Sequence, residues 1–162
     1  MKRFLILAPV ISMLGCGGGG DLTLASGTYR VSNATLRSAT DQCGLLGVYT
    51  DPTKVIGVTV ATDVATFNLA NEPSAPAVSL PTSTIVENRL EQLTEGNYTI
   101  AYGGGCVVRV RRNVVGDLTE NNAASVTFTF TATVDAGSCV PANTAFAALP
   151  CTSSYDFDIT RQ

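Results

Sequence analysis

A strict alternation of apolar and polar side chains over residues 125–134 constrains the fold of this chain more than any other feature. Val126, Phe128 and Phe130 are separated by single threonines. Successive side chains of a β-strand point to opposite faces, so this period of two predicts a strand with one buried and one solvated face. Residues 154–160 alternate in the same way.

Segments rich in threonine, valine and aromatic residues recur along the rest of the chain and are typical of strands. Turn signals built from Gly, Asp, Asn and Pro separate them. The pattern predicts an all-β fold, a single antiparallel meander of about seven or eight strands closed or nearly closed into a barrel, with a β-sandwich as the alternative. The further strand candidates are residues 27–36, 54–60, 64–69, 97–102 and 106–115.

Two segments need separate treatment. Residues 84–94 are predicted to form a strand, because Ile85 and Val86 favour a sheet, although Leu90 and Leu93 also suit a helical stripe. Residues 71–81 carry three prolines and are predicted to be a loop.

The two alternating segments also predict part of the core. Phe128, Phe130, Phe157 and Ile159 should be buried together, and Thr129 should lie on the opposite face. Register is fixed wherever one face must be buried, since a slip of one residue would turn the phenylalanines to solvent.

The first 20 residues have the features of an export signal. Lys2 and Arg3 precede an apolar run, residues 4–14. This run is shorter than the about 20 residues that a bilayer-spanning helix needs, and it suits a secretory signal peptide. Cys16 follows the run directly, and four glycines follow Cys16.

The junction Ser12-Met13-Leu14-Gly15-Cys16 resembles the lipobox of bacterial lipoprotein signal peptides. The resemblance implies that the cysteine is linked to diacylglycerol, that the signal is cut before it, and that the new amine is acylated. The absence of aspartate at the next position fits outer-membrane sorting by the same resemblance.

This resemblance divides the chain into three parts. Residues 1–15 are the predicted signal peptide, residues 16–26 the lipidated cysteine and glycine-rich tether, and residues 27–162 the β-domain. The whole is similar to small envelope lipoproteins of Gram-negative bacteria, some of which look lipocalin-like. Gly27-Thr28-Tyr29 stands where lipocalins have Gly-x-Trp.

With Cys16 assigned to lipid, the four remaining cysteines form an even set for an oxidising compartment. Two structural disulfides are therefore predicted. Three pairings exist, and the short intervening loop favours Cys139 with Cys151, which leaves Cys43 with Cys106.

Composition excludes several chemistries. The chain has no histidine, which removes Ser-His and Cys-His nucleophile pairs and histidine metal sites. We predict no catalytic residues, no metal and no cofactor. A net charge of −3 without a dense basic block argues against nucleic acid. Arg109 and Arg111 share one face of a predicted strand and could grip an anion, or pair with acids on a neighbouring strand.

Three function classes follow. The first is a non-enzymatic, lipid-anchored envelope module that binds a protein or a surface polymer. The second is a lipocalin-like carrier of a small apolar ligand, and the third is an enzyme or an enzyme inhibitor. An interior filled by side chains would argue against a carrier. The tyrosines that could either line a pocket or fill the interior are Tyr29, Tyr98, Tyr102 and Tyr155.

Overall fold

The computed structural model describes residues 21–51, 53–68 and 80–162. Within these ranges the chain forms nine strands, one short α-helix and two single-turn 3-10 helices. The strands are β1 (Gly27–Leu36), β2 (Val55–Ala61), β3 (Val64–Asn68), β4 (Thr82–Val86), β5 (Arg89–Thr94), β6 (Gly96–Ala101), β7 (Val107–Glu120), β8 (Ala123–Ala136) and β9 (Cys151–Arg161), and the helix is α1 (Leu46–Tyr49). The predicted loop over residues 71–81 lies mostly outside the described residues.

The nine strands form one antiparallel sheet that closes on itself. Its order is β5-β4-β3-β2-β1-β9-β8-β7-β6, and β5 also pairs with β7. Strand β6 continues the path of β5 along β7, so that the sheet becomes a ring. The predicted all-β, antiparallel and closed or nearly closed fold is confirmed.

The sheet has more strands than the seven or eight predicted, because residues 84–94 form a hairpin rather than one strand. Glu87 and Asn88 have φ angles of 47° and 66°. Two successive residues in this left-handed region make a tight turn that suits the twist of paired strands. The expected strand character of the segment is confirmed, and the helical alternative is wrong.

The ring has two unlike ends. We call one the turn end, because β2–β3, β4–β5 and β7–β8 are joined there by tight turns at residues 62–63, 87–88 and 121–122. We call the other the cap end. It carries the long connections over residues 37–54 and 137–150, and α1 lies in the first of them.

The interior is packed with the side chains that the alternation predicts. Phe128, Phe130, Phe157 and Ile159 are each at most 3% exposed, which confirms the predicted core. Thr129 lies on the outward face, where its hydroxyl is 3.0 Å from the hydroxyl of Ser154.

Aromatic rings from the long connections fill the cap end of the interior. The ring of Tyr49, from α1, lies 5.1 Å from the ring of Tyr155 and 5.5 Å from that of Phe128. Phe146 packs 5.7 Å from Phe130. The connections therefore add to the core that the strands build.

Two disulfides are present, as predicted, but the predicted pairing is wrong. Cys43 is bonded to Cys151, with 5.3 Å between their Cα atoms, and Cys106 to Cys139, with 5.0 Å. The length of the intervening loop is therefore no guide to pairing in this chain.

The sheet explains the correction. Cys151 lies inside it, opposite Ala132 of β8, and its side chain points inward. Cys139 lies beyond the end of β8 and meets the β6–β7 connection. Cys43 lies over the start of β9, where its backbone N–H donates to the Ser153 hydroxyl at 3.1 Å.

Alanine substitutions at two adjacent positions test the register. Phe130→Ala should destabilise the fold by about 3–5 kcal/mol, because it leaves a cavity in the core. Thr129→Ala should cost little, because its side chain faces outward. Urea unfolding of both variants gives the two free energies. Equal losses would show that the outward face is also buried and would contradict the described register.

Removing each disulfide in turn tests the corrected pairing. Both double variants, Cys43→Ser with Cys151→Ser and Cys106→Ser with Cys139→Ser, should lose about 2–5 kcal/mol. The first bridge spans 108 residues and the second 33. Chain entropy then makes the first loss larger by about 1 kcal/mol. Urea unfolding compares them, and a peptide linking Cys139 to Cys151 in a non-reducing map would refute the pairing.

Candidate functional site

Asparagines of the tight turns hold the last residues of the predicted tether. The backbone N–H of Leu22 donates to Oδ1 of Asn88 at 2.6 Å, and that of Ala25 donates to Oδ1 of Asn122 at 2.8 Å. The N–H of Asn122 donates to the carbonyl of Thr23 at 2.7 Å. These residues are bound to the turn end by the same side chains that stand at its turns.

Burial reinforces this attachment. Leu24 is 6% exposed and belongs to the core. The hydroxyl of the fully buried Tyr29 donates to the carbonyl of Ala25 at 2.7 Å. Cys16 lies outside the described residues, so its predicted lipidation stays a prediction.

One of the two arginines of the predicted anion site forms an ion pair within the protein. Arg109 and Arg111 share the outward face of β7, as expected, and lie opposite Thr133 and Thr131 of β8. Nη2 of Arg109 is 2.6 Å from a carboxylate oxygen of Asp135. A neighbouring strand therefore supplies the counter-charge, which is the alternative that the sequence left open.

Arg112, the next residue, lies inside the ring. It is only 2% exposed, and its guanidinium carbon is 4.7 Å from the ring centroid of Tyr98. A cation over an aromatic face is attracted by the ring's quadrupole, most strongly where water is excluded. Arg109 and Arg111 therefore lie on the outer face of β7, and Arg112 lies on its inner face.

Asp41 organises the cap end. Its Oδ1 accepts hydrogen bonds from the Tyr155 hydroxyl at 2.6 Å and the Gly44 N–H at 2.9 Å, and its Oδ2 accepts from the Leu46 N–H at 2.7 Å. The Ser153 hydroxyl donates to Oδ1 at 3.2 Å. One carboxylate therefore joins the start of α1 to β9 beside the Cys43–Cys151 bridge.

These contacts shift two pKa values. Burial raises the pKa of Asp41, but hydrogen bonds from Tyr155 and from nearby backbone N–H groups outweigh it and hold the pKa below the ordinary 3.8. Burial and the bond to this carboxylate raise the pKa of Tyr155 well above its ordinary 10.0. The pair stays a carboxylate and a neutral phenol near neutral pH, which suits a structural contact.

Open clefts mark the outside of the ring. One of about 350 Å³ lies between β1 and the end of α1, with Arg30, Asn33 and Asp51 among its lining residues. Another, of about 410 Å³, is lined by Arg30, Arg161 and Gln162 among others.

Three of the four tyrosines that could line a pocket or fill the interior are buried. Tyr29, Tyr98 and Tyr155 are at most 4% exposed and occupy the interior.

The described residues contain no group of three or more Cys, Asp or Glu side chains arranged to hold a metal ion. In the same ranges, no helix has the length and apolar character needed to cross a membrane. Asp156 accepts hydrogen bonds from Thr127 at 2.7 Å and Arg37 at 3.0 Å, so its oxygens have protein partners.

The comparisons with known proteins add no family to these observations. No protein-family model, no curated protein and no solved structure matches the chain. Function has to be argued from the residues themselves.

The sequence did not identify Asp41, which holds the cap end, or the asparagines that hold the turn end. Asp41 begins the turn-like segment Asp41-Gln42-Cys43-Gly44, and the asparagines at positions 88 and 122 resemble ordinary turn residues. Asp and Asn before glycine or at tight turns often bond nearby backbone groups. The partners here are remote in sequence, so composition alone could not identify them.

Neutralising Asp41 should weaken the cap and change its response to acid. Asp41→Asn should lower the free energy of unfolding at pH 7 by about 1–3 kcal/mol, because four donors lose a charged acceptor. The folded-state pKa lies below the ordinary value, so the carboxylate's contribution is complete above about pH 4 and is lost as pH falls through the lowered pKa. Unfolding in urea at pH 7 and pH 3 measures both effects.

Asp63→Asn is the matched control. Asp63 is exposed in a tight turn with a positive φ, a conformation that asparagine tolerates. This variant should retain the stability of the parent at pH 7. An Asp41→Asn protein with the parent's full acid sensitivity would contradict the role of this carboxylate.

Proposed function

We propose that this protein is a non-enzymatic binding module of the bacterial cell envelope, anchored to the outer membrane by lipid on Cys16. The observation that carries the proposal is the attachment of residues 22–25 to the turn end of a closed, filled ring. A compact module with its N-terminal segment bound to one end is suited to presentation on a short tether. Its partner would be an envelope protein or a surface polymer.

The interior favours a binding module over a carrier. A lipocalin-like carrier needs an apolar cavity inside the ring. Here Phe67, Phe128 and Tyr155 are fully buried, and Tyr49 and Phe146 enter from the cap end. The interior space that a ligand would need is taken by side chains.

The polar groups of the cap end also favour a non-enzymatic role. Ser153 is fully buried, and its hydroxyl bonds to Asp41 and to the backbone of Cys43. A nucleophile must reach its substrate, and this hydroxyl lies beneath the cap. The hydrogen bonds of Asp41 are used to order the connection that carries α1.

The disulfides support export. Both bridges join segments that are distant in sequence, and bonds of this kind persist in the periplasm and outside the cell. The outward face between β8 and β9 presents hydroxyl groups from both strands and two carboxylates from β9. Its paired side chains are Ser125 with Asp158, Thr127 with Asp156, Thr129 with Ser154 and Thr131 with Thr152.

Metabolic labelling with a palmitate analogue tests the anchor. The parent chain should incorporate label and fractionate with the outer membrane, and Cys16→Ser should lose both properties, because no thiol remains for the diacylglycerol. The Cys106→Ser, Cys139→Ser double variant is the control and should keep its label, which separates loss of lipid from a general loss of thiols. Label that persists on Cys16→Ser would refute the proposal.

A further inference from the structure

The tether has a short reach. Between Cys16 and Leu22 lie only five residues, four of them glycine. At a maximum of about 3.6 Å per residue, this stretch spans at most about 22 Å. Leu22 itself is fixed to the turn end through Asn88. Lipid on Cys16 would therefore keep the turn end within that distance of the bilayer.

The ring is long compared with this reach. Strand β7 has 14 residues, about 46 Å at about 3.3 Å per residue, which is about 35 Å along the axis of a closed sheet whose strands tilt by about 40°. It runs from the Cys106–Cys139 bridge at the cap end to the turn beside Asn122. A tether of at most about 22 Å fixed at the turn end cannot bring its anchor to the cap end.

We infer that the anchored module stands on its turn end, with that end facing the bilayer and the disulfide-bonded cap end directed away from it. The inference rests on the lipid anchor proposed above and adds its geometry. The cap end, where the connection carrying α1 and residues 137–150 are each held by a bridge, is then the end farthest from the bilayer.

The charge of the turn end gives this orientation a distinctive property. Asp63, Glu87 and Glu120 are exposed there and outnumber the exposed cations of this end, Arg89 and Arg161. Arg89, also exposed, is already 3.6 Å from a carboxylate oxygen of Asp117. Acidic groups are repelled by anionic lipids within a Debye length, about 8–10 Å at ordinary salt. The module should therefore sit farther from an anionic bilayer than from a neutral one.

Single tryptophans measure the orientation, because the chain has none of its own. Thr119→Trp places a reporter near the turn end, and Ala142→Trp places one at the cap end; both positions are exposed. Each lipidated mature chain is reconstituted in phosphatidylcholine vesicles that contain a dansyl-labelled lipid. Energy transfer should be several-fold greater from Thr119→Trp.

The charge of the vesicle lipids provides a second test of the orientation. Replacing part of the phosphatidylcholine by phosphatidylglycerol should lower the transfer from Thr119→Trp at low salt, and high salt should restore it. Adding Glu87→Gln and Glu120→Gln to that chain should reduce the response, because two of the repelled charges are gone. A transfer that does not depend on lipid charge would contradict an acidic surface facing the bilayer.

The outcomes separate the two proposals. Mass spectrometry first establishes whether Cys16 carries lipid. A chain without lipid refutes the anchor and the orientation built on it. A lipidated chain with equal transfer from both reporters lies on its side, and one with greater transfer from Ala142→Trp is inverted. Either result overturns the orientation and leaves the anchor standing.

Discussion

The register of β8 between its two neighbours determines which side chains the ring buries. Thr129 lies opposite Asn113 of β7 and Ser154 of β9, which places Phe128 and Phe130 inward on the same strand. A shift of β8 by one residue would turn its phenylalanines to the outer face. The same parity puts Arg112 inside the ring while Arg109 meets Asp135 outside it. The same register therefore determines both the buried core and the polar outer surface.

The cap end depends on a different kind of contact. Its connections have no strand ladder along most of their length, and they are fixed by two disulfides, by the Asp41 carboxylate and by buried rings such as those of Tyr49 and Phe146. Closing long loops covalently removes chain entropy from the unfolded state. The turn end, in contrast, is held by tight turns, by hydrogen bonds between the turn asparagines and residues 22–25, and by the buried side chain of Leu24.

The strands were predictable because their signal is local. Alternation over residues 125–134 and 154–160 identified β8, β9 and four core residues from side-chain type alone. The turn at Glu87 and Asn88 was missed, because glutamate is an unusual residue for a positive φ. The disulfide pairing failed for a spatial reason: Cys151 lies inside the sheet, whereas Cys139 lies beyond the end of β8.

The candidate site was less accessible from the sequence. The contacts of Asp41 with Tyr155 and of Asn88 with Leu22 join positions 114 and 66 residues apart. Such contacts form only when the sheet brings distant segments together, and no periodicity in the sequence predicts them. That Arg109 and Arg111 share one face follows from the two-residue period of a strand. Their sequence does not reveal the ion pair of Arg109 with Asp135, because it depends on the position of β8 beside β7.

The pairing of β1 with β9 has a consequence for the order in which the strands can pair as the chain is made. Arg30 lies opposite Thr160, so β1 acquires this partner only after 130 further residues have been made. At about 5–20 residues per second that takes on the order of 10 seconds. During this interval one edge of β1 has no native strand to pair with, and an unpaired edge is a template for wrong partners. The bulge between Ser32 and Thr35 interrupts that edge, which makes the waiting strand a poorer template.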